Sequence, residues 1–315
     1  MIGYTLRRLG QAAIVVLGVT VLVFLLEHLI PGSLARAILG PRASGVEIAA
    51  FNRANGLDRP VVAQYLTFLS HLLHGNLGYS YRLNQSVDSL VVHQLPNDLI
   101  LVGIALALAL LIAIPLGVAQ AVRRNRALDH VATGAAFLLY SMPSYWLGLL
   151  LIAGLTISFH VFPAEAPQAA SAGGVLADPR ALVLPVVTLT LVNVALFSRY
   201  MRSAAVDTLA QEYVRVARSK GLPARVILTR HVLRNSLVPV VTLLGLSIPA
   251  VLTTGLVVEY VFNFPGLGLT YFNAAVNADY PLELGITVIV GIATVLGSLL
   301  ADLAYAVLDP RVRYG

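Results

Sequence analysis

The chain has one lysine in 315 residues, Lys220, and it stands between Ser219 and Gly221. A phosphate-cradling loop needs Gly-Lys-Ser/Thr, so nucleotide hydrolysis by that motif is closed to this sequence. There is no cysteine, which removes disulfides, thiolate nucleophiles, zinc knuckles and iron–sulfur ligation. His-Glu-x-x-His and Gly-x-Ser-x-Gly are also absent, and with them the common metalloprotease and serine-hydrolase signatures. His71 and His74 stand three apart and could share a metal with His93, but no carboxylate pattern accompanies them, and a solvated or interfacial role is the simpler reading. Ionisable groups inside apolar stretches are functional candidates by default: Glu27 with His28, Glu259 and Asp302. All lie near the ends of their stretches, where they can reach water. Glu259 is the candidate pathway residue, because its stretch follows directly on the basic segment described next.

Eight basic residues fall between positions 199 and 234: Arg199, Arg202, Arg215, Arg218, Lys220, Arg225, Arg230 and Arg234. Thr208-Leu209-Ala210-Gln211 has the spacing of a capping box and predicts a helix start. That helix should continue through Glu212, Tyr213, Val214, Arg215, Val216, Ala217, Arg218, Ser219 and Lys220 until Gly221 ends it, with Pro223 just beyond. A second helix is expected from Pro223, in a first-turn position, to about Arg234. Anionic lipid could hold such a surface by itself, at about 1 kcal/mol per basic side chain. Two features favour a protein partner: Tyr213, Val214, Val216 and Ala217 are not confined to one stripe, and the glycine turn sets a sharp shape that lipid binding does not need.

The elements that carry this segment follow from composition. Apolar residues make up 58% and charged residues 11%, against about 45–50% and about 25% in soluble domains. A chain this poor in charge could not keep a soluble surface wet, and one this apolar would not stay solvated as a coil, which leaves a polytopic membrane protein. About 20 apolar residues span the hydrocarbon core as a helix. Six charge-free stretches qualify: Leu9 to Leu26, Leu99 to Val122, Val131 to Phe159, Ala181 to Ser198, Asn235 to Val258 and Leu284 to Ala301. Arg7 and Arg8 before the first, with Ala35 and Ala37 after it, also fit a signal peptide, but its 18 residues exceed the usual apolar region of about 7–15. Pro115, Pro143, Pro185, Pro239 and Pro249 fall inside spans and predict kinks. Six spans place both termini on one side. Fifteen of the 21 basic residues, including Arg123, Arg124, Arg126, Arg311 and Arg313, lie on that side, which is therefore expected to be cytoplasmic. The net charge of +6 thus points to membrane topology and not to nucleic acid.

Outside the spans, residues 31–96 form the largest segment and read as short helices. Pro60 opens an apolar run of helical spacing that Gly75 should cap, and its face needs a partner, either the bundle or another protein. The stretch from His160 to Asp178 looks like a flexible loop, and that from Asn263 to Glu283 mixes turn formers with aromatics.

The run from Glu212 to Gly221 resembles the EAA loop of binding-protein-dependent ABC importer permeases. Glu212 lies nine residues and Ala217 four residues before the glycine, and Leu233 also matches. His231 and Arg234 depart from the general pattern in the manner of the peptide-importer branch, whose loops resemble Glu212-Tyr213 to Lys220-Gly221 followed by Arg230-His231-Val232-Leu233-Arg234-Asn235. Similar agreement covers Leu6-Arg7-Arg8-Leu9 with His28-Leu29-Ile30-Pro31-Gly32, Gly56-Leu57-Asp58-Arg59-Pro60, Gly75-Asn76-Leu77-Gly78 and Ser141-Met142-Pro143-Ser144-Tyr145-Trp146. It continues in Val258-Glu259-Tyr260 with Phe264-Pro265-Gly266-Leu267-Gly268, and in Asp309-Pro310-Arg311.

The resemblance implies the first permease subunit of a dipeptide/oligopeptide ABC importer. The expected fold is an all-α polytopic membrane protein with six transmembrane helices, the type I ABC importer permease fold, and an external helical segment between the first two spans. The expected organisation is 1–30, terminus and first span; 31–96, external; 97–308, permease core with a coupling loop at 207–234; and 309–315, cytoplasmic tail. Glu212, Tyr213, Arg215, Ala217, Lys220 and Gly221 would couple to an ATPase, with Glu212 as anchor, Ala217 as close-packing position and Gly221 as shape-setting turn. The implied partners are a paralogous second permease, two cytoplasmic ATPases holding ATP and Mg, an extracytoplasmic substrate-binding protein and membrane lipid. This chain itself would hold no cofactor, no metal and no catalytic residue. The alternatives are an importer of the same fold for glutathione, a nickel chelate or a haem-like ligand, and a self-contained ion-driven transporter.

Overall fold

A computed structural model describes residues 2–29, 34–169 and 171–308, with side chains undescribed at 2–5, 27, 37, 246–254 and 300–308. Glu27, Asp302 and the Asp309-Pro310-Arg311 motif fall outside the described side chains, as do Ile30 to Gly32 of the first-span motif.

Among the described residues the regular elements are helices, apart from one two-stranded hairpin. Its first half comprises α1 (Ile2–His28), α2 (Leu34–Leu39), α3 (Gly45–Ala54), α4 (Val61–Leu73), β1 (Tyr79–Ser80), β2 (Gln85–Ser86) and α5 (Val87–Val122). Then come α6 (Ala127–Ser141), α7 (Ser144–Leu151) with a π-helical extension to Ser158, α8 (Ala172–Ala177) and α9 (Pro179–Leu209). The last part comprises α10 (Glu212–Ser219), α11 (Ala224–Val226), a π-helical stretch Ile227–Leu233, α12 (Arg234–Val261), α13 (Leu267–Val276) and α14 (Tyr280–Leu308). Within α1, α5, α9 and α14 lie four segments long and apolar enough to cross a membrane. The pair α6 and α7 makes a fifth if counted as one broken span, and the 28-residue α12 contains the charge-free stretch Asn235 to Val258.

The third expected span is thus not one rod. It bends by 106° between Ser141 and Ser144. Met142 is extended there, at φ −82° and ψ 132°, because the Pro143 ring excludes the helical conformation from the residue before it.

Helix α5 packs along α9 through a row of small buried residues four apart: Ala105, Ala109, Ala113, Gly117 and Ala121. Such a row lets two backbones approach closely in a membrane. A Cβ on Gly117 would lie 2.7 Å from Met201 Cβ and 2.8 Å from the Ser198 carbonyl oxygen, and the Thr190 hydroxyl reaches across to donate to the Ala105 carbonyl at 3.2 Å. The start of α6 is fixed to α9 by a bidentate ion pair in which Arg202 donates to both oxygens of Asp129 at 2.5 and 2.7 Å. Asp129 is buried and accepts a further bond from the Asn125 amide at 3.0 Å. Arg202→Ala is expected to lower stability by about 3 kcal/mol, read as a drop in unfolding temperature, because it strands a buried carboxylate without its partner.

The segment between α1 and α5 packs against the bundle. Tyr65 and Phe68 of α4 meet Phe24 of α1 with ring centroids 5.3 and 5.9 Å apart, and the Tyr65 hydroxyl lies 3.0 Å from that of Thr20. The apolar face of α4 therefore finds part of its partner in α1. Ser44 and Glu47 form the capping box that starts α3, and bonds from Ser44 hold the Glu47 carboxyl below its ordinary pKa. The hairpin is anchored by the buried Ser80 hydroxyl, which donates to Asp279 at the other end of the sequence.

The stretch from His160 to Asp178 is packed and not a free loop. Ala166 and Val175 are buried in the core shared by α5, α9 and α12. The Ala166 amide donates to the Phe262 carbonyl at 2.8 Å, the Gln168 amide group to the Asn263 carbonyl at 2.7 Å, and Ser171 caps α8.

Candidate functional site

Two constellations stand out, one at each half of the bundle. The first is built on α10, beside the basic end where α5 and α9 finish. Val214 and Ala217 are buried against Ala121, Ala205, Ile227 and Val232. Glu212, Tyr213, Arg215, Val216, Ser219 and Lys220 are exposed. The helix is thus held by two inward residues three apart while its outer ridge is free. Tyr213 is the lateral tie, since its hydroxyl oxygen accepts from Asn235 Nδ2 at 2.9 Å at the start of α12. Gly221 closes the helix at φ +73°, a left-handed conformation that L side chains rarely adopt, and a Cβ there would meet nothing in this chain.

Two sequence expectations are corrected here. Thr208 does not cap α10. It is the penultimate residue of α9, donating to the Ala204 carbonyl at 2.7 Å and receiving a bond from the buried Ser236 hydroxyl at 3.0 Å, so it ties α9 to α12. Packing against α12 extends α9 past the local capping signal, and Gln211 takes the cap position with no side-chain bond. The second expected helix is not separate either, because α11 and the π-helical stretch run straight into α12, with Pro223 as the cap outside the first turn.

The second constellation is around Glu259. Sequence position suggested a side chain able to reach water, but Glu259 is only 3% exposed. Its Oε2 accepts from the amides of Gly268 at 2.7 Å and Leu269 at 3.1 Å. Asp98, from α5 and 7% exposed, accepts from the Leu267 amide at 3.1 and 3.2 Å. Two carboxylates from two long helices therefore cap the N-terminus of α13, whose free amides and dipole supply positive potential. Asn97 adds a bond from Nδ2 to the Pro265 carbonyl at 2.8 Å. The glycines of Phe264-Pro265-Gly266-Leu267-Gly268 are required by this seat. A Cβ on Gly266 would collide with oxygens of both Asp98 and Glu259, and one on Gly268 would lie 2.7 Å from Glu259 Oε2. A cavity of about 260 Å³ opens beside the pair, lined by Asp98, Val102, Leu256, Glu259, Tyr271 and Val290 among others, with no cationic side chain among the described residues. Sequence reasoning missed Asp98 because it precedes the charge-free run in α5. Its signal was a carboxylate one position before that run, inside a helix that begins eleven residues earlier.

The structure brings Glu212, Tyr213, Arg215, Ala217, Lys220 and Gly221 together on one short element and places Glu259 apart from them, toward the other end of α12. His71, His74 and His93 are not gathered into a metal-holding group among the described residues.

Residues 113–314 match the family described as binding-protein-dependent transport system inner membrane component, and residues 1–102 match its N-terminal counterpart. The chain is 35% identical to the oligopeptide transport system permease protein AppB of Bacillus subtilis strain 168, over the full length of both. It is 36% identical to the probable D,D-dipeptide transport system permease protein DdpB of Escherichia coli K12, covering 98% of this chain and 97% of that one. It is 34% identical to the glutathione transport system permease protein GsiC of Salmonella choleraesuis, again over the full length of both.

Proposed function

The chain belongs to the binding-protein-dependent transport system inner membrane component family, and from that membership we propose that it carries di- and oligopeptides as one half of an ATP-driven importer. It is an all-α membrane permease of the type I ABC importer fold. Peptides are named for relatives that match essentially end to end, and glutathione, named for another, is itself a short peptide.

In this proposal a paralogous second permease completes the path, a substrate-binding protein delivers cargo at the end carrying α2 to α4, and two ATPases holding ATP and Mg dock at the basic end. The basic residues at that end favour a cytoplasmic placement, with both termini on the same side. The observation that carries the reading is the construction of α10: an exposed ridge on a helix pinned inward by Val214 and Ala217 and sideways by Tyr213. A push on that ridge reaches α5 and α9 through the buried pair and α12 through the Tyr213–Asn235 bond. Glu212 anchors the contact, while Arg215 and Lys220 meet the partner surface.

The test is uptake by vesicles containing this chain with its partner subunits. Uptake should require ATP and both ATPases, and persist when ion gradients are collapsed. Uptake by this chain alone, driven by an ion gradient, would overturn the reading. Glu212→Ala should reduce co-purification of the ATPases severalfold, whereas Glu165→Ala, exposed and remote, should leave it unchanged.

A further inference from the structure

We propose that Arg199 is a carboxylate-recognition point on the transport path, engaging the C-terminal carboxylate of a peptide as it crosses the membrane. The inference rests on the importer reading and adds a residue and a ligand group that the coupling surface and the carboxylate seat leave unassigned.

Arg199 lies within α9, ten residues before its end. Its guanidinium carbon sits 4.9 Å from the ring centroid of Phe137 and 5.2 Å from that of Tyr140. One turn away, Arg202 is neutralised by Asp129 at the start of α6. Phe137 and Tyr140 lie eight and eleven residues further along α6, about 12 to 16 Å at 1.5 Å per residue. The Arg199 side chain is therefore directed from the basic end along the apolar part of α6, and no carboxylate pairs with it among the described residues.

An unpaired cation drawn from the basic end along an apolar face is unfavourable in hydrocarbon, so it must face water, protein or a charged ligand. The two rings stabilise a guanidinium through their faces but do not use its hydrogen-bond fork. That fork matches a carboxylate with two parallel bonds. Arg199 is half-buried while Phe137 and Tyr140 are exposed, so the fork is open to a ligand from one side. Past the 106° break, Tyr145 and Trp146 are also exposed. Broken spans are where transporters gather substrate contacts, because the helix is interrupted at membrane depth. Exposed aromatics thus stand on both sides of the Ser141-Met142-Pro143-Ser144 break, Tyr140 before it and Tyr145 and Trp146 after it, a composition suited to a peptide's apolar side chains with Arg199 for its carboxylate.

The absence of cysteine permits a clean test at exposed Ser141, which follows Tyr140. In the assembled importer in lipid, Ser141→Cys should react with a water-soluble, negatively charged thiol reagent. Dialanine should slow that reaction, and its C-terminal amide should require about tenfold higher concentration for equal protection. Adding Arg199→Gln should leave the reaction itself intact and abolish the difference between acid and amide, and Arg199→Lys should restore part of it. A purely structural role for Arg199 would not move the acid-to-amide ratio. If Arg199→Gln fails to assemble, Arg199→Lys decides, and unchanged discrimination in that variant overturns the proposal. So does the absence of labelling, which would place this face in lipid or against the second permease, and so does equal protection by acid and amide. Peptide uptake by the same vesicles separates the two readings. Uptake without carboxylate-dependent protection refutes the Arg199 site alone, whereas vesicles that take up no peptide refute the importer reading and the site with it.

Discussion

Gly266→Ala should lower the stability of the folded chain by about 4 kcal/mol and abolish transport, although it adds one methyl group. The new Cβ would fall on oxygens of both Asp98 and Glu259. Overpacking at a rigid site costs about 1–3 kcal/mol. Displacing the carboxylates then leaves the amides of Leu267 and Gly268 buried without acceptors, at about 1–3 kcal/mol for each group stranded. The neighbours cannot give way cheaply, because one carboxylate comes from α5 and the other from α12, and both helices are packed into one buried core just beyond the carboxylates. The measurement is the temperature at which the purified protein loses its monodisperse state. Gly103→Ala is the matched control, since nothing lies within 4 Å of a Cβ there. Equal melting of the two variants would show that the carboxylates do not fix α13.

Gly221→Trp should do the reverse, leaving the fold nearly intact while cutting transport by at least about tenfold and letting ATP hydrolysis continue. Within this chain a side chain at 221 meets nothing, so the intrinsic cost is the left-handed backbone, about 1–2 kcal/mol. A docked partner would meet the indole directly beside the ridge of α10. Transport per ATP hydrolysed, measured in vesicles, separates the two effects. Wild-type coupling in this variant would remove α10 and its turn from the energy path.

The two predictions differ because the two glycines answer different constraints, and that difference bears on what could be read without a structure. Gly221 was legible: a helix-stopping glycine followed by Pro223 is a local signal, and the left-handed backbone it implies is present at φ +73°. Gly266 was not, because its requirement comes from Asp98, 168 positions earlier in the sequence. The small-residue row from Ala105 to Ala121 lay in plain view at four-residue spacing, yet nothing local distinguishes such a row from ordinary apolar filler until α9 is seen against it. Thr208 shows the opposite failure. Its capping-box spacing was a true local signal, overridden by the burial of Thr208 and Ser236 between α9 and α12.

By itself the sequence determined what depends on composition and short-range periodicity. That covers membrane residence, the number and approximate limits of the apolar stretches, the basic end and the turn after α10, because hydrocarbon demands long helices and glycine alone readily accepts a left-handed turn. Tertiary structure decided where charge could be buried: Glu259 and Asp98 on the α13 terminus, and Asp129 on Arg202. A charge inside a membrane protein is tolerable only with a partner, and its partner is set by which helices touch, not by which residues are neighbours in the chain.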